Sequence, residues 1–287
     1  MKIDHLDKIY IIHYIRLKER RDYLEKRLKE LGLDDYCSWV ISDKDGNFSK
    51  KDLLLWDSNE KSIQERKKYL GEKLPPIGKI DMIMMLQHIQ VLRKIASKED
   101  NKISLIFEDD VLLDNDFPEK LKDAIEKLSK IKWDICYSDK GSLIVEPKII
   151  PTSGKIALYK PIDKRSNTTG SYLIKSTSAK KLLKLMKKIA VGPDMELTYV
   201  QKKYGLKVYW TIPFLTHQGS IEEVYQSNVR TGSLAGKAIK LIKKIERINP
   251  HLAKLIAKII DLFIKIVYRS KVLFVIKDKF KKLIGLQ

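Results

Sequence analysis

Three adjacent carboxylates, Glu108, Asp109 and Asp110, follow directly on an apolar run of β-branched and aromatic residues. The length and composition of that run are typical of a buried strand that ends in an acidic turn. Neighbouring carboxylates repel one another, and a divalent cation at the strand end would offset this repulsion. Mg²⁺ and Mn²⁺ prefer oxygen ligands and commonly keep coordination positions open for substrate phosphates. The pattern therefore predicts a metal site, although a solvated acidic turn in which Asp114 or Asn115 caps the next helix stays open.

A second acidic pair, Asp194 and Glu196, stands at the start of a predicted helix that ends near Tyr204. A carboxylate in such a place can take a proton from a hydroxyl group as a general base. The same side chains also suit the positive end of a helix dipole, so simple capping remains an alternative. The sequence thus offers two candidate bases, and we place Asp194 ahead of Glu196.

Three isolated positions are further candidates for ligand contact. Gly170 lies in a turn of small residues, where the missing side chain either lets the backbone approach a ligand or serves an ordinary turn. His217 is predicted in a loop after the last strand, where side chains are available to ligands. His88 lies on an apolar helix, where a lone histidine is more often a hydrogen-bonded core residue.

The elements that must position these residues follow the pattern of an α/β protein. The chain opens with a strand over 8–14, a helix over 17–31 and a strand over 36–41. This β-α-β order is typical of a parallel sheet with helices on its faces. No regular element is predicted for the polar segment 42–76. Further strands are predicted at 103–111, 133–137, 142–145, a short stretch ending at 174, and 206–212, and further helices at 81–96, 117–131, 176–188 and 194–204.

The basic charge of the chain is concentrated in its last part. The 287 residues carry a formal net charge of +20, and residues 235–287 hold 14 Lys and Arg against 3 Asp and Glu. Within 252–268 the charges recur at each helical turn and leave the remaining surface apolar. This pattern disfavours a spanning helix and favours contact with an anionic membrane surface. A helical hairpin packed on its own domain or on a second subunit, as in a homodimer, is the alternative.

We therefore predict one domain over 1–233 and a basic amphipathic helical tail over 234–287. The basic residues are accompanied neither by interleaved aromatic residues nor by a nucleic-acid motif, so we expect no nucleic-acid partner. The first residues lack the apolar core of a signal peptide, and Cys37 and Cys136 lack metal-type spacing. We expect a cytoplasmic protein that is peripheral on the inner face of the cytoplasmic membrane.

Five segments, in order, resemble glycosyltransferase family 25, the lipopolysaccharide-type and collagen-type galactosyltransferases. The resemblance covers roughly residues 8–230 and leaves the tail outside. Two features depart from the family pattern: Gln87 stands where the family usually has Ser, and His13–Ile15 replaces the usual Asn-Leu-Asp-type turn. The matching segments are the first strand with Arg16–Arg21, then Gly78–His88, Leu105–Val111, Thr169–Ile174 with Ser178–Leu183, and Pro193–Glu196 with Lys207–Tyr209.

The resemblance implies a metal-dependent, inverting transferase with a Rossmann-type sheet of the GT-A kind. Its donor would be a nucleotide-diphosphate sugar, with UDP-galactose favoured, and its acceptor a saccharide or lipid-linked saccharide of a lipooligosaccharide or other surface glycan. Mn²⁺ or Mg²⁺ would be held by Asp110 and Glu108, with His217 as a further ligand. The base would be Asp194 or Glu196. The residues expected at the donor are Ile12, His13, Arg21, His88, Glu108, Asp109 and Gly170.

A different class of function stays open at this point. A transferase-like fold whose carboxylates are merely structural could bind a membrane or polyanion through its basic tail without catalysing a reaction. The presence of both acidic sets, Glu108 to Asp110 and Asp194 to Glu196, argues against this alternative.

Overall fold

The computed structural model describes residues 2–42, 49–57, 59–71, 74, 77–139, 154–161, 168–220 and 224–225. The α-helices in these ranges are α1 (Lys18–Glu30), α2 (Lys50–Leu53), α3 (Glu60–Leu70), α4 (Lys79–Ala96), α5 (Phe117–Ser129), α6 (Ser176–Leu185) and α7 (Pro193–Lys203). The strands are β1 (Leu6–Tyr14), β2 (Cys37–Ser42), β3 (Ile103–Glu108), β4 (Val111–Leu113), β5 (Ile135–Tyr137), β6 (Ala157–Tyr159), β7 (Ser171–Lys175), β8 (Val208–Ile212) and β9 (Thr216–Gln218). One turn of 3-10 helix, Asp34–Tyr36, precedes β2.

Seven strands of the described chain form one mixed sheet in the order β2-β1-β3-β7-β5-β8-β6. Five of them, β1, β2, β3, β5 and β8, run in the same direction, whereas β7 and β6 run against their neighbours. A separate pair, β4 and β9, is antiparallel. The predicted class, an α/β protein with a mostly parallel sheet, is confirmed.

Helices cover both faces of this sheet, and alternating residues of β1 show how. Ile9 and Ile11 pack on the side of α1 and α5, whereas Tyr10 and Ile12 pack on the side of α4, α6 and α7. Because successive strand side chains point to opposite faces, one unbroken apolar run supplies both cores. Each fully buried aliphatic side chain contributes about 1.5–3 kcal/mol to folding relative to remaining exposed.

The structure corrects several predicted elements. The polar segment predicted without elements contains α2 and α3, and β6 was also missed. The acidic strand is interrupted after Glu108 and resumes at Val111, and His217 lies on β9 rather than in a loop. The predicted strand 142–145 and the tail 234–287 lie outside the described residues, so the tail and the domain boundary stay predictions.

The described helices were also compared with the requirements of a bilayer. None of them, within the ranges given above, is both long and apolar enough to cross a membrane.

The strand directions bring several polar residues to one edge of the sheet. The carboxyl ends of β1, β3 and β5 meet there, and the antiparallel β7 begins there. In open α/β sheets this edge is where ligands bind. His13, Glu108 and Asp139 therefore lie at or just beyond the strand ends that build this edge.

Candidate active site

Asp109 ties the end of β1 to the start of α1. His13 Nδ1 lies 2.9 Å from Asp109 Oδ2, and the backbone N–H of Tyr14 donates to the same oxygen over 3.2 Å. Arg20 Nη1 donates to the other oxygen, Oδ1, over 2.8 Å. Since both oxygens of this buried carboxylate are engaged, Asp109 organises the site rather than offering a free oxygen to a ligand.

Ile12 and Arg21 were also predicted at the donor, and each stands next to a residue that contacts Asp109. Ile12 is buried in the core and pairs in register with Glu108. Arg21 donates to the exposed Glu25 over 2.7 Å, and its guanidinium lies 5.2 Å from the Trp39 ring centroid. Arg20, rather than Arg21, is thus the arginine of this turn that contacts the acidic residues.

Glu108 is held through one of its two oxygens. Oε1 accepts a hydrogen bond from Thr169 Oγ1 at 2.5 Å and lies 3.3 Å from His88 Nε2. The other ring nitrogen, His88 Nδ1, lies 3.1 Å from the hydroxyl of Tyr172, and the two rings stack. Because both donors converge on Oε1, the carboxylate is oriented with Oε2 left for another partner.

His88 itself is 1% exposed, and burial raises the pKa of the Tyr172 hydroxyl, which therefore stays protonated. A protonated Tyr172 can donate to Nδ1, which leaves the N–H at Nε2 to donate to Glu108. The structure thus places His88 against Glu108, and its contact with a donor stays a prediction.

Asp110 has the surroundings of a carboxylate that awaits a cation. It is 6% exposed, and within the described part of the chain its buried Oδ1 has no hydrogen-bond partner. Burial, followed by the negative charge of Glu108, raises the pKa of Asp110 to about 6, against the smaller lowering effects of the Ser220 hydroxyl and Arg20. An orphaned buried carboxylate oxygen is costly, which makes it a marker of function.

A turn after β9 supports Asp110. The Gly219 N–H donates to the carbonyl oxygen of Asp110 over 2.6 Å, and the Ser220 hydroxyl donates to its carboxylate. A Cβ at Gly219 would lie 2.4 Å from the Tyr225 ring, so this position admits only glycine without rearrangement. The sequence analysis missed this support, and no local signal marks Ser220 as a neighbour of a residue 110 positions earlier.

Gly170 is needed for a close approach of three segments. A Cβ at this position would lie 2.2 Å from Gln218 Nε2 and 2.3 Å from Asp139 Oδ2. Asp139 is completely buried and accepts a hydrogen bond from Thr168 Oγ1 over 2.8 Å. The predicted close approach at Gly170 is thus to protein side chains. Asp139 and Gln218 were missed, although Asp139 could have been found because it follows a strand at the ligand-binding edge.

Asp194 lies within electrostatic reach of the end of β3. Burial raises the pKa of Asp194, and the negative charges of Glu108 and Asp81 raise it further, against hydrogen bonds from the backbone. A Cβ built on Gly192 would lie 3.6 Å from Asp81 Oδ1 and 3.7 Å from Asp194 Oδ1, which places these two carboxylates beside the same backbone. The structure thereby brings Asp194 into the neighbourhood of the donor-side carboxylates.

Glu196 is placed elsewhere, inside the protein. It is 0% exposed. Arg66 of α3 donates two hydrogen bonds to it, from Nη2 to Oε1 over 2.6 Å and from Nε to Oε2 over 3.2 Å. The backbone N–H of Ala190 also donates to Oε2. This saturated pairing gives Glu196 a structural environment, which leaves Asp194 as the accessible candidate base.

His217 does not join the acidic residues at the end of β3. It pairs in register with Leu112, its side chain is 39% exposed, and its Nε2 lies 3.9 Å from Asp114 Oδ2. Strand alternation sends its neighbour Gln218 to the opposite face, towards Gly170. Of the residues predicted to hold a metal, the structure brings together Glu108 and Asp110.

The fit of these residues to a divalent cation can be judged from their oxygens. Among the described residues no group of three His, Cys, Asp or Glu side chains is arranged to hold a metal ion. A cation that is shared with a nucleotide diphosphate needs fewer protein ligands, since Mg²⁺ in such sites is typically held by one or two carboxylates plus phosphate oxygens. The unpartnered Oδ1 of Asp110 beside the ionisable Glu108 fits that second arrangement.

Comparison with known proteins gives two matches. The sequence model of the family described as Glycosyltransferase family 25 (LPS biosynthesis protein) matches residues 6–197. The chain is also similar to procollagen galactosyltransferase 1-A of Xenopus laevis, with 26% identity over 199 residues. That alignment covers 67% of this chain and 31% of the relative, so the chain spans about a third of the relative's length.

Proposed function

Because the chain belongs to glycosyltransferase family 25, we propose that it transfers a sugar from a nucleotide-diphosphate donor to a hydroxyl group of a saccharide acceptor. The observation that supports this most is the buried, unpartnered Oδ1 of Asp110 beside Glu108, at the sheet edge where ligands bind. A purely structural role would leave the cost of this buried charge uncompensated. The alternative of a non-catalytic binding module is therefore disfavoured.

In the proposed reaction an acceptor hydroxyl attacks the anomeric carbon of the donor sugar. The bond from that carbon to the diphosphate oxygen breaks, the electron pair leaves with the diphosphate, and the hydroxyl proton passes to Asp194. Attack opposite the leaving group inverts the anomeric carbon. The raised pKa of Asp194 suits this role, since a general base is most effective when its pKa approaches the working pH.

The donor side of the site is built to face a phosphate-bound cation. Mn²⁺ or Mg²⁺, when bound, would supply positive charge to the leaving diphosphate. Asp110 and Glu108 would hold the ion through Oδ1 and Oε2, while Asp109 fixes the turn between them. His13, Arg20 and His88 act through these carboxylates.

For the substrates, we propose UDP-galactose as the donor and a saccharide of lipopolysaccharide type as the acceptor. The relative's name supports galactose as the transferred sugar, with UDP-galactose as donor, and the family description supports an acceptor of lipopolysaccharide type. A lipid-linked acceptor agrees with the predicted membrane attachment of residues 234–287 at the inner face of the cytoplasmic membrane. Deleting 235–287 should release the protein from anionic vesicles and preserve transfer to a soluble acceptor; unchanged vesicle binding would refute this attachment.

The central test is a screen of nucleotide sugars for hydrolysis or transfer with Mn²⁺, followed by Asp110→Ala. We expect activity with one donor, its loss on adding a chelator, and a rate that is about 10²–10³-fold lower in Asp110→Ala. Glu126→Ala on α5, which removes an exposed, Lys130-paired carboxylate, is the matched control and should keep full activity. Full activity of Asp110→Ala would remove the assignment of this residue.

A further inference from the structure

A second candidate site lies at the opposite edge of the sheet. A cavity of about 310 Å³ opens there, between the segments that lead into β5 and β8 and the end of β7. The strand β3 runs from this edge to Glu108 over six residues, which corresponds to about 20 Å at about 3.3 Å per residue. The cavity is therefore separate from the proposed donor site. Its lining consists of Asn101, Lys132, Trp133, Asp134, Lys175, Thr177, Ser178, Lys181 and Lys207.

The lining is rich in hydrogen-bond donors and poor in acceptors. It contains four lysines and one carboxylate, Asp134. That carboxylate is already engaged, since Lys181 Nζ lies 3.3 Å from Oδ1 and the backbone N–H of Lys207 donates to Oδ2 over 2.8 Å. The buried indole N–H of Trp133 has no acceptor within the described chain. The Trp133 N–H lies beneath the surface, so the donors that line the cavity are its ammonium groups, whose natural partner is an anion with several oxygens.

Three of its four ammonium groups make no ion pair with a described residue. Lys132, Lys175 and Lys207 have no carboxylate within 4.0 Å among the described residues, and Lys175 lies instead 5.0 Å from the Trp133 ring centroid. Burial lowers the pKa of Lys175, which shows that its charge is partly desolvated.

Helix α6 begins at this cavity and adds a favourable field. Its N-cap is Lys175, which makes no side-chain cap, and Thr177 and Ser178 of its first turn line the cavity. The first N–H groups of a helix are unpaired within the helix, and the helix dipole favours negative charge beside them. The start of α6 therefore reinforces the attraction of the lysines for an anion.

We propose that this cavity binds the phosphate group of an anionic ligand, held by Lys132, Lys175 and Lys207 at the start of α6. The volume accommodates a phosphate together with part of the molecule that carries it. A doubly charged phosphate would offset two of the three excess positive charges in the lining. The ligand is either a soluble phosphate compound or the headgroup of a phosphate-bearing lipid.

The test titrates inorganic phosphate into the full-length protein by calorimetry, with EDTA present so that no cation bridges phosphate to the end of β3. Lys132→Gln/Lys207→Gln removes two exposed charges from the cavity. Lys130→Gln/Lys180→Gln removes two exposed charges outside it, one directly after α5 and one on α6. We expect the cavity variant to bind phosphate at least tenfold more weakly and the control to change less than twofold. Equal affinity of all three proteins, or equal loss in both variants, would overturn the proposal.

Variants of Lys175, whose charge is more buried than those of Lys132 and Lys207, give an independent test. Lys175→Gln should lose phosphate binding, whereas Lys175→Arg, which keeps the charge over Trp133, should retain it. The thermal midpoint of each protein shows whether it is folded. Loss of binding in Lys175→Gln at an unchanged midpoint supports the site, and retention of binding contradicts it.

Vesicles distinguish the two sources of the phosphate. Binding of wild type and of both double variants is compared on phosphatidic acid vesicles and on phosphatidylcholine vesicles. A loss on phosphatidic acid that is specific to the cavity variant identifies a lipid headgroup. A cavity-specific loss for inorganic phosphate with equal vesicle binding identifies a soluble ligand.

Discussion

Two regions of this protein bury carboxylates in opposite ways. At the end of β3, Asp110 keeps one oxygen without a partner in the described chain, and its neighbour Glu108 adds a second negative charge. At the start of α7, Glu196 is more deeply buried, yet Arg66 and backbone N–H groups engage both of its oxygens. Burial alone therefore does not separate a functional carboxylate from a structural one.

The difference lies in what compensates the charge. A buried ion pair with saturated hydrogen bonds is close to neutral for stability while both partners are present, and it becomes costly when one is removed. A buried carboxylate without such compensation destabilises the folded protein until a ligand supplies positive charge. The first arrangement fixes a helix, and the second is suited to binding a cation.

The contrast separates Asp194 from Glu196, which stand two residues apart on α7. Two residues correspond to about 200° around a helix of 3.6 residues per turn, so the two side chains leave the helix on nearly opposite sides. Glu196 is directed to Arg66, and the pKa of Asp194 responds to Glu108 and Asp81. The two candidate bases of the sequence thus face different surroundings.

The largest expected effect is on kcat, which should fall when Asp194 is replaced and stay nearly unchanged when Glu196 is replaced. Asp194→Asn removes the proposed base and should lower kcat by about 10²–10⁴-fold, the usual contribution of general-base catalysis, with the donor KM little changed. Glu196→Gln should keep kcat within about threefold once the fraction of folded protein is accounted for. Steady-state kinetics with the donor identified in the screen measure both. Normal kcat in Asp194→Asn with intact donor binding would exclude it as the base.

The next effect concerns the stability of the Arg66–Glu196 pair. Arg66→Met leaves a fully buried carboxylate without its charged partner, which should cost about 3–5 kcal/mol in the free energy of unfolding. Arg66→Met/Glu196→Leu removes both charges and should recover most of that loss. Urea denaturation of the three proteins gives the values. If the single variant is as stable as wild type, the pair does not hold α3 on α7.

The sequence predicts those parts of the fold where apolar periodicity is strong. The continuous apolar runs of β1 and β3 and the amphipathic helix α5 were predicted within a few residues. In contrast, α3 contributes Arg66 rather than an apolar face as its buried residue, so a search for apolar stripes overlooks it. The three-residue strands β4, β6 and β9 are too short to show a period of two.

The same limit applies to the candidate site. Glu108 and Asp110 are separated along the chain by Asp109 alone, and the crowding of the three carboxylates is visible without a structure. The choice between Asp194 and Glu196 depends on Arg66, which lies 130 residues from Glu196. Ser220 and Gln218 likewise reach the site only through folding, so no local spacing points to them.

A smaller effect follows from the pKa of Asp110 in the metal-free protein. This carboxyl has a pKa of about 6 when folded and near 3.8 when unfolded, so its ionisation destabilises the fold as pH rises from about 4 to above 6. Asp110→Asn removes this penalty and should be more stable than wild type by about 3 kcal/mol at pH 8, with the difference vanishing near pH 4.

Urea titrations in EDTA across this pH range measure the difference. Glu196→Gln is the matched control: burial raises the pKa of Glu196 as well, but removing its charge leaves the buried Arg66 guanidinium without a partner and should destabilise the protein at pH 8. The two variants should therefore move in opposite directions. A destabilised Asp110→Asn at pH 8 would show that its charge is compensated in the folded protein, and the contrast between the two regions would fail.

The smallest effect tests how Glu108 is oriented. His88→Phe removes the donor to Oε1 and should weaken Mn²⁺ binding in the presence of the donor nucleotide by about tenfold, as is typical when a residue that positions a metal ligand is lost. His88→Gln can place an amide N–H near the position of Nε2 and should restore affinity to within about threefold. Tyr172→Phe, which acts one contact further away, should cost less than His88→Phe.

Because His88 is 1% exposed and stacks on Tyr172, the measurements must distinguish its effect on the orientation of Glu108 from its effect on core packing. If His88 serves packing alone, His88→Gln should have a lower thermal midpoint. Any loss of Mn²⁺ affinity would then be explained by the smaller fraction of folded protein. A positioning role predicts that affinity follows the N–H donor, so His88→Gln exceeds His88→Phe at equal stability. Equal Mn²⁺ affinity in these two variants would mean that Thr169 alone orients Glu108, and that the histidine serves the core, as lone histidines on apolar helices usually do.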